Sequence, residues 1–405
     1  MKEWKKKFFT LYIGQAISIL TSAVLQMAIV WHVTETTGSA ALLSLSTMIG
    51  FLPQALLGVF IGVYIDRHSR KRIMIISDLV LAAAGMILVV AGRQGEIPLW
   101  LIYIVLFIRS LGNAFHEPSL QAAIPSIVPK EELTRYAGFA HSFKSVSFLI
   151  SPALAAFLYR IWSLDAIVFF DVIGALLAVF FLTRVEMNEK VHQFASEKPQ
   201  VLKEAKEGFA ALRRVPGLFT LLIVSTLYAF IYFPIGTLFP LITMKWFQGG
   251  VEQSGMVEVV FALGMLCGSL LLSHVGKKIH HERAVLASIA CYGLCCLSAG
   301  LLPRTALYVF VGISFTIGVI NPFYHSVRTA IFQTRIEDEY LGRVLSLTNS
   351  VGLIAMPLGL TLSGIFADIV GVNRWFMISG ILTLILAAAA FISLPKEMLQ
   401  KNENS

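Results

Sequence analysis

Apolar residues run along this chain in long continuous blocks, and short polar segments separate them. Continuous runs read as helices and not as barrel strands, which would alternate with a period of two, and lipid leaves no open backbone satisfied. Each block holds about 20 to 25 residues, enough to cross roughly 30 Å of hydrocarbon. The pattern predicts twelve spans. Six lie at 8–33, 41–65, 73–92, 98–118, 136–159 and 161–182; six more lie at 217–247, 254–275, 284–303, 305–332, 342–370 and 375–394.

The longest polar stretch, 183–216, divides these spans six and six. The expected organisation is an amino-terminal six-helix bundle over 1–182, a linker over 183–216, a second bundle over 217–395 and a tail over 396–405. Within the linker Val201, Leu202, Ala205, Phe209 and Leu212 recur at helical spacing among basic residues. That fits either an amphipathic helix on the membrane surface or a flexible charged linker.

Composition agrees with the pattern: of 405 residues, 57% are hydrophobic and 14% charged, with a mean hydropathy of +0.76. This belongs to a polytopic, all-α membrane protein. The first span follows a Lys-rich start but is longer than a signal-peptide core and lacks a small-residue cleavage site, so it is read as retained. With the amino terminus inside, 24 of the 32 Lys and Arg fall in inner segments. Arg93, Arg160, Lys245, Arg304 and Arg374 fall outside. That asymmetry places both termini in the cytoplasm. The net charge of +8 is thereby a topological signal, and no nucleic-acid partner is expected. Cys267, Cys291, Cys295 and Cys296 all lie inside predicted spans and read as small core residues, so neither metal nor cofactor is expected.

The two halves echo each other. "NAFHEPSLQAAI" (113–124) closes span four and "NPFYHSVRTAIF" (321–332) closes span ten, each followed by an acidic loop and a Pro-bearing span, with Pro152 and Pro357 respectively. Such repetition marks secondary transporters. Small residues four apart, Gly58 and Gly62, Gly264 and Gly268, Ser147 and Ser151, Ala355 and Gly359, predict close helix packing. Gly14, Ser18 and Ser22 have the same spacing in span one.

Between spans two and three stands "GVYIDRHSRKR". Its Gly62, Asp66, Arg67, Arg70 and Lys71 resemble the 2-3 loop signature of the major facilitator superfamily, with Tyr64 and Ser69 replacing the usual Leu and Gly. "SFLISPALAA" (147–156) is similar to that superfamily's fifth-helix antiporter motif. "LFIRSLGNAF", "YLGRVLSL", "MPLGLTLSGIFAD" and "GVNRWFMISGIL" resemble the macrolide-efflux permeases of Gram-positive bacteria. The resemblance implies two pseudo-symmetric bundles and proton-coupled export of hydrophobic drugs by alternating access.

It also implies roles for particular residues. Spans two and eleven would meet, so Asp66 could face the start of span eleven near Leu341 and Gly342 as a latch, held also by Arg70. The matching loop of the second half has Ser273 in place of the acid, so one such latch is expected. Spans one, four, seven and ten would surround the substrate cavity. Its expected lining is Gln26, Asn113, Phe115, Tyr228, Tyr232, Phe233, Phe315, Asn321 and Tyr324, a greasy surface with few polar groups that suits a bulky amphipathic ligand.

Charges inside a span are functional candidates by default. Arg109, Asp171 and Asp78 are the candidates for proton coupling, and a structural ion pair is the alternative for each. Glu117 and Glu258 read as span-end residues, and His116 and Lys144 as side chains reaching the cytoplasmic interface. No phosphate-binding GxxxxGK[ST] loop is present, so the chain does not hydrolyse ATP itself. Import of a nutrient or lipid, or service as membrane partner to a separate ATPase, remain the alternative roles. No HExxH or GxSxG motif points to an enzyme.

Overall fold

A computed structural model describes residues 3–187, 201–276 and 279–395. Within helices a few side chains lie outside the described residues, among them those of Gly58, Gly62 and Asp66.

Among the described residues, twelve long helices correspond one to one with the twelve apolar blocks. In chain order they are α1 (Glu3–Thr37), α2 (Ala40–Arg67), α3 (Arg70–Gln94), α4 (Leu99–Ile127), α5 (Leu133–Ile161) and α6 (Leu164–Thr183). A linker helix α7 (Val201–Arg214) precedes α8 (Leu218–Thr237), a short α9 (Phe239–Leu241), α10 (Val251–Val275), α11 (His281–Leu301), α12 (Leu307–Arg335), α13 (Asp338–Val370) and α14 (Val372–Ser393). Eleven of the long helices are apolar over a length sufficient to cross a bilayer, and α2 contributes a shorter apolar stretch over Ala40–Pro53. Gly38 (φ 55°) and Gly371 (φ 93°) take backbone angles that a side chain resists, which lets α1–α2 and α13–α14 connect in one or two residues.

The helices overrun the apolar blocks at predictable places. Span four was expected to stop at Pro118, yet α4 carries Pro118 and Pro125 inside it and ends at Ile127. Each proline removes one backbone donor, a loss a long packed helix tolerates. Span seven is interrupted: α8 stops after Pro234, and Ile242–Trp246 continues as a π-turn beyond α9.

The chain divides into two compact units, Met1–Thr37 with Ser46–Ala195, and Gly38–Leu45 with Ser196–Ser405. In unit 1, α1 packs on α5 and α6, and α3 on α4 and α6. In unit 2 the same neighbours recur six spans later: α8 packs on α13 and α14, and α11 on α12 and α14. The halves that echo each other in sequence therefore repeat in packing.

Glycines set the closest approaches. A Cβ on Gly264 or Gly268 of α10 would strike the carbonyl oxygens of Phe315 and Val319, and one on Gly318 of α12 would strike that of Phe261. Gly359 of α13 meets the Phe230 carbonyl of α8 in the same way. Ser151 and Pro152 are buried on α5, and Pro357 is half-buried on α13. Over Val201–Arg214 the linker is helical and packed: Glu207 of α7 pairs with Arg343 of α13 at 3.3 Å, and Leu212 is fully buried.

Candidate functional site

Unit 1 holds a buried ionic cluster built from three helices. Arg109 lies ten residues into α4 and Asp171 seven into α6, so both stand about 10 to 15 Å from their helix starts. Arg109 Nη1 donates to Asp171 Oδ2 at 2.5 Å, and the side chains are only 7% and 2% exposed. The other carboxylate oxygen accepts from Ser22 Oγ at 2.7 Å and from Thr21 Oγ1 at 3.3 Å. Ser22 Oγ also accepts from Arg109 Nη2 at 3.3 Å. Gly174, nearly one turn beyond Asp171, sits against the Thr21 side chain and lets α1 come close enough for these hydroxyls to reach. A buried pair is tolerable only with such supporting bonds. Read from sequence, Ser22 signalled helix packing alone; the structure adds a bond to the ion pair.

Asp78 does not join this cluster. It lies eight residues into α3, 2% exposed, with Oδ1 3.4 Å from His116 Nε2 on α4. Neither Asp78 Oδ2 nor His116 Nε2 has a hydrogen-bond partner. His116 was expected at the membrane surface; it is instead tucked between helices, its side chain 12% exposed, because α4 continues past it for more than two turns. Lys144 is likewise not free, since it pairs with Glu117 across α4 and α5.

In the 2-3 loop, Arg70 Nη1 donates to the Ala122 carbonyl at 2.6 Å, and Lys71 Nζ to that of Val185 at 2.7 Å. Both basic residues thereby tie the start of α3 to the ends of α4 and α6. Arg67 is exposed. Asp66, expected as the latch acid, has its side chain outside the described residues.

A carboxylate cap of the kind foreseen for Asp66 is found where none was expected, within unit 2. Asp368, near the end of α13, accepts from Ser39 Oγ at 2.6 Å and from the backbone amides of Ala40 and Ala41 at 2.7 and 3.0 Å. These are orphan donors at the start of α2, where a negative charge also meets the helix dipole. Lys245 Nζ closes the same corner by donating to the Gly38 carbonyl at 2.8 Å. Gly364, one turn before Asp368, packs on Ala41 and Ser44.

The expected cavity residues of unit 2 come partly together. Tyr228, Tyr232 and Tyr324 form one aromatic cluster, with Tyr228 4.2 Å from Tyr324 and 5.4 Å from Tyr232 between ring centres. Asn321 donates to the Tyr232 hydroxyl. Tyr292 of α11 and His325 of α12, which sequence reasoning missed, join the cluster at 5.1 Å from Tyr232 and 4.9 Å from Tyr324. Tyr228 and Tyr324 are buried, so packing occupies them; Phe233 is exposed at the edge of the cluster, 5.7 Å from Tyr232, and Phe315 is exposed away from it. In unit 1 Asn113 is exposed, Gln26 is half-buried and Phe115 stacks edge-on to Tyr64. Glu258 lies seven residues into α10 and so sits deeper than a span-end cap.

A cleft of about 220 Å³ in unit 1, walled by Arg93, Trp162, Asp165, Phe169 and Phe170, involves none of these residues.

Comparison with known proteins decides the family, since a model of the Major Facilitator Superfamily matches residues 11–359 and 221–404. This chain belongs to that superfamily. Macrolide efflux protein A of Streptococcus pyogenes is 48% identical to this transporter over 384 residues, 95% of each chain. Macrolide efflux protein A of Enterococcus faecalis is 47% identical over 323 residues, 80% of this transporter and 100% of that one. Among solved structures, a bacterial homologue of the human lysosomal transporter Spinster, inward-facing and unoccupied, covers 97% of both chains with a TM-score of 0.73 and 14% identity. At that identity the likeness concerns the fold alone. The transporter is thus a multi-pass membrane protein closely related to macrolide efflux proteins.

Proposed function

We propose that this transporter exports macrolide-like hydrophobic drugs across the plasma membrane by alternating access, in exchange for protons entering the cell. The observation that carries the substrate class is the 48% identity to a macrolide efflux protein over 95% of both chains. Proton exchange draws support from Asp78 and His116, ionisable groups held side by side inside the spans of unit 1, where a charge is retained at a cost of at least about 2.5 kcal/mol. Tyr232, bonded to Asn321, and the exposed Phe233 ring beside it suit a large amphipathic molecule. Both termini are cytoplasmic in this reading, following the Lys and Arg distribution. Asp66 acts as a latch at the cytoplasmic end of α2, closing that side when it caps the start of α13.

The test is drug movement in reconstituted vesicles under an imposed pH gradient, using a radiolabelled macrolide and an unrelated cationic dye. Accumulation that depends on the gradient and collapses with an uncoupler supports the reading. Macrolide transport that persists unchanged after uncoupling removes proton exchange.

A further inference from the structure

We propose that the coupling proton is carried by His116 together with Asp78, while Arg109 and Asp171 remain ionised through the cycle. This rests on the proton-exchange reading above and names the group that performs it.

Among the described residues of unit 1, the two buried acids differ in what surrounds them. Both oxygens of Asp171 are engaged, one by Arg109 at 2.5 Å and the other by Ser22 and Thr21. An arginine does not give up its proton inside a protein. Protonating Asp171 would strand that cation in a site 7% exposed and set two hydroxyl donors against a neutral acid. The pair is complete, and completeness makes it a poor carrier.

Asp78 and His116 are incomplete. Asp78 Oδ2 has no donor, and His116 Nε2, 3.4 Å from Oδ1, makes no hydrogen bond. Imidazole is the side chain that changes charge near neutral pH. Without the extra proton, the imidazole is neutral and Asp78 carries a net negative charge in a site 2% exposed. With it, imidazolium faces carboxylate and the pair is neutral overall. One proton thus toggles the local charge between minus one and zero, and no other bond is made or broken. Among the described residues, the charged groups acting on His116 are Asp78 from α3 and Glu117 from its own helix, and Glu117 is already matched by Lys144 of α5. A background close to neutral leaves the His116–Asp78 pair as the element that responds.

The experiment uses the full-length transporter in proteoliposomes with a radiolabelled macrolide, and two readouts. One is uptake driven by a pH gradient; the other is drug-for-drug exchange at equal pH on both sides, which moves no net proton. For His116→Gln, and separately for Asp78→Asn, exchange should persist near the wild-type rate while gradient-driven uptake falls by at least about tenfold. The exchange rate should also lose its pH dependence between roughly pH 5 and 8, the range in which imidazole titrates. The paired variant Arg109→Gln/Asp171→Asn should keep gradient-driven uptake. Gradient-driven uptake by His116→Gln with the wild-type rate and pH profile overturns the assignment. So does loss of exchange together with gradient-driven uptake in both single variants, which marks a purely structural pair. A wild-type protein that exchanges drug but ignores the gradient would instead refute proton exchange itself, and this assignment with it.

Discussion

Replacing Asp171 by Asn removes one charge from a buried pair and leaves Arg109 facing a neutral amide. The guanidinium is 7% exposed, so water cannot take the place of the lost carboxylate. Breaking a buried pair by removing one partner costs about 3 to 5 kcal/mol, most of it the isolation of the remaining charge. Asn keeps a carbonyl oxygen for Ser22, now 2.7 Å from Asp171 Oδ1, so the lower part of that range is expected. Adding Arg109→Gln removes the stranded cation. Neutral replacements for buried pairs are often no worse than the pair, so the double variant should return to within about 1 kcal/mol of wild type. The double variant should therefore recover about 2 to 3 kcal/mol relative to Asp171→Asn alone. Reversible denaturant titration in mixed micelles would measure it, with the fully buried Trp31 contributing to the fluorescence signal. An Asp171→Asn protein within about 1 kcal/mol of wild type, or a double variant no better than the single one, would refute the claim that this pair is a closed electrostatic unit.

Asp66→Asn should slow net transport while leaving insertion and drug binding intact, because an anion at a helix start is worth about 0.3 to 2 kcal/mol, or roughly two- to thirty-fold in the population of a latched state. Wild-type turnover by a correctly inserted variant would dismiss the latch. Asp368→Ala should free the first turn of α2, and the amides of Ala40 and Ala41 should exchange hydrogen up to about thirty-fold faster, the equivalent of a lost cap of up to about 2 kcal/mol; unchanged exchange by mass spectrometry would contradict it. Gly268→Val places a branched side chain on the Val319 carbonyl and should lower the yield of monodisperse protein, consistent with an overpacking cost of about 1 to 3 kcal/mol or more. Gly312→Ala, with no atom near the added carbon, should be harmless in the same assay.

Much of this architecture is legible in the sequence because a bilayer allows so few solutions. A continuous apolar block of sufficient length must be a helix, and the twelve blocks are found as α1 to α6, α8 and α10 to α14. What escaped reading was decided by distant neighbours. Pro118 suggested an end to span four, and placing His116 near that end made it look like a surface residue. The continuation of α4 to Ile127 is what carries His116 beside Asp78. Arg109 and Asp171 could be recognised as costly, but their pairing, and the part of Ser22 in it, depended on how α1, α4 and α6 meet. Asp368 lies in "GIFADIV", an unremarkable helix end, and its partners are more than 300 residues earlier. The π-turn after α8 has only Pro234 and Pro240 as a local hint.

The glycine contacts between α10 and α12 carry a consequence for how this chain can diverge. Because carbonyl oxygens themselves occupy the space where Cβ atoms would sit, the seam is written in main-chain atoms. Side chains elsewhere on those two helices can then change without loosening the joint. The exempt positions are Gly264, Gly268 and Gly318. Even alanine is too large for them, so a chain that keeps this joint should vary almost anywhere on the face before it varies at those three.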